Sequence, residues 1–139
     1  MSLTEIMFSS KGRIGRLSYF LYALLNMAIL AIGAAIAIAI GQNSAAVPLA
    51  VFFGVALFGT VVYSCFALAV KRLHDMGFSG IHMIWIYLLG IAGSLVTPAS
   101  PALGMILSLA SFGVSLWVML APSVADNQYG SNPNATTAV

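Results

Sequence analysis

The sequence predicts an all-α integral membrane protein with four transmembrane helices and both termini cytoplasmic, and three observations predict it. Of 139 residues, 61% are hydrophobic and 6% charged, with a mean hydropathy of +1.05, which leaves too few charges to cover a water-facing surface. Four apolar runs, at about 17–40, 47–70, 81–97 and 102–121, are separated by short polar breaks. All five cations precede the first run or follow the second, so an even number of crossings collects them on one side. The whole chain, 1–139, reads as a single membrane domain: a basic interfacial segment 1–16, the four spans, and a polar tail 122–139 that composition predicts to be disordered.

Ser2-Leu3-Thr4-Glu5 has the spacing of a capping box, and Leu3, Ile6 and Met7 share one helical face. This predicts a short N-terminal helix lying in the membrane interface, with a frayed terminus as the alternative. A basic linker from Ser9 to Arg16 follows. Its cations before an apolar run have the arrangement of a signal peptide, but the run is about twice the length of a signal's apolar core, so the segment reads as a retained span.

From Leu17 to Ile40 the chain makes about 36 Å of helix, enough to cross a hydrocarbon core of about 30 Å with some tilt. Gly41-Gln42-Asn43-Ser44 is an uncharged turn, and the second run starts at Val47 with Pro48 in its first turn, where a missing N–H costs nothing. The third run supplies only about 25 Å and needs local bilayer thinning or flanking residues drawn into the interface. Thr97-Pro98-Ala99-Ser100-Pro101 breaks the chain before the fourth run. Trp85, Tyr19, Tyr22 and Trp117 lie near span ends, where amphipathic rings anchor to headgroups. By the positive-inside rule the N-terminus, the loop after the second run and the C-terminal tail are cytoplasmic.

Several readings are excluded or weakened. A net charge of +2 is too small for a nucleic-acid binder. Cys65, alone in the chain, forms no intrachain disulfide and reads as a small buried hydrophobe. No ionisable residue lies at mid-membrane depth, where a proton or ion pump would be expected to hold one. His74, Asp75 and His82 meet no standard metal-ligand spacing, so no metal or cofactor is expected. The sequon Asn134-Ala135-Thr136 falls in a tail expected on the cytoplasmic side.

Polar groups inside the spans define faces. Gly33, Ala37 and Gly41 recur every four residues and would let a helix of this chain, or of a second copy, approach closely. Asn26 projects from the first span, and Ser108, Ser111 and Ser115 share a face of the fourth. Such groups bond one turn back or across a helix pair, or they line a track for a small solute or ion.

The segment Lys71-Arg72-Leu73-His74-Asp75-Met76-Gly77-Phe78-Ser79-Gly80 concentrates two cations, an anion and an imidazole between apolar runs. Three readings compete. In the first, Lys71, Arg72 and His74 complement the negative end of the helix dipole and Gly77 takes the left-handed cap position. In the second, Arg13 and Arg16 join Lys71 and Arg72 to hold lipid phosphate, with Asp75 orienting a guanidinium. In the third, His74 and Asp75 act as a general-base pair, which also needs a nucleophile, and Ser79, Ser9 and Ser10 form no motif.

Together with Phe8-Ser9-Ser10-Lys11-Gly12-Arg13-Ile14-Gly15-Arg16 before the first span and Asn127-Gln128-Tyr129-Gly130-Ser131-Asn132-Pro133 in the tail, that segment resembles the bacterial inner-membrane proteins grouped as domain of unknown function 805. Ile81-His82 stands where relatives tend to carry tryptophan, and Ser131 where they tend to carry proline. The resemblance implies a multi-pass protein of the bacterial cytoplasmic membrane and no particular activity. It also implies that Asn127 and Tyr129 fold back onto the loop after the second span. The function expected is structural or binding, with Arg13, Arg16, Lys71, Arg72, His74, Asp75, Asn127 and Tyr129 engaging anionic phospholipid, a second copy or another membrane protein. A channel or transporter lined by Asn26 and the serines, and then a membrane enzyme using His74 and Asp75, are the alternatives.

Overall fold

A computed structural model describes residues 2–133 and 135, so the sequon asparagine and threonine lie outside the described residues. Helix α1 spans Leu3–Phe8, α2 Arg16–Gly41, α3 Val47–Asp75, α4 His82–Val96 and α5 Pro101–Leu120, with a 3-10 turn at Ser44–Ala46 before α3. The capping box forms: the Glu5 N–H donates to the Ser2 hydroxyl and the Ser2 N–H donates to the Glu5 carboxylate at 2.8 Å. Those bonds hold the Glu5 carboxyl below its ordinary range.

The helices form two antiparallel hairpins. In the first, Asn26 meets Ser64, Gly33 meets Leu57, Ala37 meets Gly54 and Gly41 meets Ala50. The every-fourth-residue face of α2 is therefore covered by α3 of the same chain. A Cβ on Gly33 would lie 2.0 Å from a Leu57 methyl, so any side chain there would force Leu57 to move. In the second hairpin Gly90 meets Ser111, Gly93 meets Ser108 and Gly104 meets Thr97. Small residues thus let both pairs of backbones come together, which is how helices associate where the solvent is itself apolar.

Helix α3 runs a full turn beyond the apolar stretch that ends at Val70, so Lys71–Asp75 form its C-terminal end, as the helix-dipole reading expects. The end is a Schellman motif: Phe78 N–H donates to Leu73 O at 2.9 Å, Gly77 N–H donates to His74 O at 3.1 Å, and Gly77 has φ +82°. Cations in the last turn stabilise that end of the dipole, which is why the helix continues through a segment that composition alone marks as a break.

The hairpins are joined near this end by Ala69, Val70, Leu73, Met76, Met83 and Val118. Farther along, a cavity of about 430 Å³ opens between them. Three segments, Arg16–Gly41, Ser44–Asp75 and Pro101–Leu120, are long and apolar enough to cross a membrane; α4, with 15 residues, is a shorter apolar helix. Because α4 and α5 run antiparallel, the chain returns to the end it left. Burial is inverted relative to a water-soluble fold. Leu, Ile, Val and Phe side chains cover the outside, while Arg72, Lys71, Asn26, Asp75 and Ser64 are among the largest side chains wholly buried. Outward apolar and inward polar groups are what lipid-facing helices require.

Candidate functional site

Every charged side chain of the chain lies at one end, in α1, the linker, the first turn of α2, the last turn of α3 or the tail. The turns at the opposite end, 42–46 and 97–100, carry none. The hub is Asp75, wholly buried in the last turn of α3. Arg13 reaches it from the linker with Nε and Nη2 donating to Oδ1 at 3.2 and 3.1 Å. Arg72, one turn earlier on α3, donates from Nη1 to Oδ2, which also accepts from the Ser123 hydroxyl. One carboxylate thus joins two guanidiniums, both excluded from solvent.

Each guanidinium spends its other donors on backbone oxygens. Arg13 Nη1 donates to Ala125 O and Gly130 O, both at 2.9 Å, and Nη2 to Val124 O at 2.7 Å. Arg72 Nε donates to Val118 O at 2.9 Å and Nη2 to Ala121 O, closing the C-terminal carbonyls of α5. Lys71, also buried, turns the other way and donates to Glu5 O and Ile6 O, the last at 2.7 Å, which caps α1. Arg16 is exposed and makes one long bond, at 3.4 Å, to Leu120 O.

The tail residues fold back where composition alone predicts disorder. Asn127 Nδ2 donates to His74 O at 2.9 Å and its Oδ1 accepts from Tyr129 N–H at 2.9 Å, while Val124 N–H donates to Asp75 O at 3.0 Å. Tyr129 lies flat on His74, ring centroids 3.8 Å apart and planes 4° from parallel. Nδ1 of His74 sits 3.2 Å from Gly12 O; a carbonyl only accepts, so that nitrogen carries the proton. Replacing Tyr129 by alanine removes the stack, worth about 0.5–1.5 kcal/mol. Limited proteolysis will then cut the chain after Pro122 faster than in the wild type, with the helical hairpins intact.

These placements revise the sequence-based picture. Arg13, Lys71 and Arg72 do not form an open surface with Arg16: the first three are engaged by protein oxygens, and Arg16 alone of the four is solvent-facing. His74 and Asp75, adjacent in sequence, take different partners, His74 the Gly12 carbonyl and Tyr129, Asp75 two arginines and Ser123, so no His–Asp general-base pair is assembled. Asn26 bonds Ser64 Oγ at 3.0 Å inside the first hairpin. Ser108 packs under Gly93, and Ser111 and Ser115 face the large cavity, so Asn26 and the serines line no common track. Cys65 is half-buried at the edge of that cavity rather than enclosed.

Sequence reading missed Ser123, Gly12 and the backbone oxygens that close the cluster. Positive φ at Gly12 (+88°) and Gly130 (+131°) lets each carbonyl turn toward its partner, and the Gly-Arg and Tyr-Gly dipeptides were the only signal. No curated protein and no solved structure matches the chain. The family model for proteins of unknown function DUF805 matches residues 7–131. That span takes in Arg13, Arg16, the Lys71–Gly80 segment and the Asn127–Gly130 turn that meet in the cluster, and the chain belongs to the DUF805 family.

Proposed function

We propose that this chain is a four-pass protein of the bacterial cytoplasmic membrane, with its ionic end in the cytoplasm, and that it binds anionic phospholipid there. The single observation that carries the reading is the placement of charge: five cations and three carboxylates share one end of a molecule whose flanks are apolar. That end is the one the positive-inside rule assigns to the cytoplasm, where the leaflet is itself anionic. Helix α4 is counted as the third crossing because it pairs with α5 along its whole length, and its deficit of length is met by bilayer thinning or by drawing in His82 and Trp85.

Within this reading the cations divide the work. Arg13 and Arg72 with Asp75 hold the end together, and the exposed Arg16, beside a groove walled by Leu17, Phe20, Met119 and Leu120, meets the headgroup while an acyl chain lies along the groove. The test is retention of phosphatidylglycerol over phosphatidylcholine by native mass spectrometry, on the wild type and on Arg16→Gln. The wild type is expected to prefer the anionic lipid and the variant to lose that preference several-fold, as loss of one charge-assisted contact does. Equal retention of both lipids by the wild type would reject the lipid reading.

A further inference from the structure

We propose that a second, smaller cavity, between the N-terminal linker and the first turn of α2, binds a phosphate group. The inference rests on the lipid-binding reading for one of two sources of that group, a phospholipid headgroup; the other is a soluble phosphate. The cavity has a volume of about 170 Å³; Arg13, Gly15, Ser18, Tyr22 and Lys71 form its polar side, and Ile6, Ile14 and Pro133 its apolar side. A water needs about 10–15 Å³ of such space, so a tetrahedral oxyanion fits with hydrating waters.

Three features of the wall point to an anion. The first is charge: Arg13 and Lys71 line the cavity, and with Arg72 behind them they are buried with one buried carboxylate, Asp75; buried cations in excess of anions are costly unless a counter-charge joins them. The second is a spare donor. The Lys71 ammonium has three protons, and the carbonyls of Glu5 and Ile6 take two of them. The third is the start of α2, whose N-cap Gly15 supplies no side-chain acceptor for the first-turn N–H groups. That leaves the positive end of a 26-residue helix open at the cavity wall. Ser18, in that first turn, and Tyr22, one turn on along the same face, bring two hydroxyls to the same wall.

A phosphate seated there would accept from the Lys71 ammonium, the α2 N-terminus and the two hydroxyls, with Arg13 supplying charge from behind. Arg13 remains fully engaged with Asp75 and the tail, so binding adds an anion without dismantling the cluster. The occupant would also tie α1, the linker and α2 together, since Lys71 already holds the C-terminal carbonyls of α1.

The experiment uses the full chain in nanodiscs of phosphatidylcholine, with and without phosphatidylglycerol, and titrates inorganic phosphate while the melting temperature is followed. Lys71→Met would remove the α1 cap as well, so the diagnostic variants are Ser18→Leu, which fills the cavity from an exposed first-turn position, and Tyr22→Phe. Tyr22→Phe is expected to bind about tenfold more weakly, the loss of one hydrogen bond to a charged group, Ser18→Leu to lose at least as much by filling the space, and both to melt like the wild type in phosphatidylcholine. A phosphate response and a phosphatidylglycerol preference that both survive unchanged in both variants would overturn the pocket while leaving lipid binding at Arg16 intact. Stabilisation of the wild type by inorganic phosphate, with no lipid preference and with loss in Ser18→Leu, would sustain the pocket with a soluble ligand and reject the lipid source. No response of the wild type to either probe would overturn it.

Discussion

Replacing Asp75 by asparagine is expected to destabilise the protein by about 3–5 kcal/mol, the cost of removing one partner from a buried ion pair. The side chain keeps its shape, so packing is not the cause. Arg13 and Arg72 would remain enclosed with no anion between them, held by carbonyl oxygens alone. The measurement is thermal or denaturant unfolding in nanodiscs of Asp75→Asn, Arg13→Gln and the double variant. Because removing the charge from both sides relieves the mismatch, the double variant should be more stable than the sum of the single losses predicts. Strict additivity would mean that Arg13 and Asp75 do not act on one another, and that the tail is held by its backbone bonds only.

Gly104→Ala carries the second large effect, at the far end of the molecule. A Cβ there would stand 2.6 Å from the Thr97 Cα and 2.2 Å from its hydroxyl oxygen. Backbone cannot rotate away as a side chain does, so the second hairpin must part at its turn, a loss of about 1–3 kcal/mol by overpacking. Gly113 on the same helix is the control, since a Cβ there meets nothing within 4 Å, and alanine at that position should leave the melting temperature unchanged or slightly raised. Equal effects at the two glycines would show that helix propensity, rather than contact with Thr97, sets the outcome.

The elements that depend on neighbours in sequence were legible. The capping box at Ser2 and Glu5, Pro48 in the first turn of α3, the Gly77 cap and the turns at Gly41 and Thr97 all act within six residues, and each is present. The small face on α2 was legible as a face but not as an intramolecular contact, because periodicity names a surface and not its partner. The helix-dipole reading of Lys71, Arg72 and His74 with Gly77 as the cap was legible too, and α3 ends as that reading placed it. One reading went astray. The tail's polar composition marked disorder, yet its order comes from Arg13, Asp75 and His74, between about fifty and one hundred and twenty residues away. No local pattern announces such bonds, and only the family resemblance pointed to them.

The distance in sequence between Arg13 and its acceptors has a consequence for biogenesis. The guanidinium leaves the ribosome early, while Val124, Ala125 and Gly130 are more than a hundred residues behind it. Once α3 is made, Asp75 can pair with that arginine, but the seal of backbone oxygens can form only once translation has passed the last helix. A chain stalled after α5 would hold Arg13 against Asp75 alone, with the N–H groups that the tail carbonyls satisfy left to water.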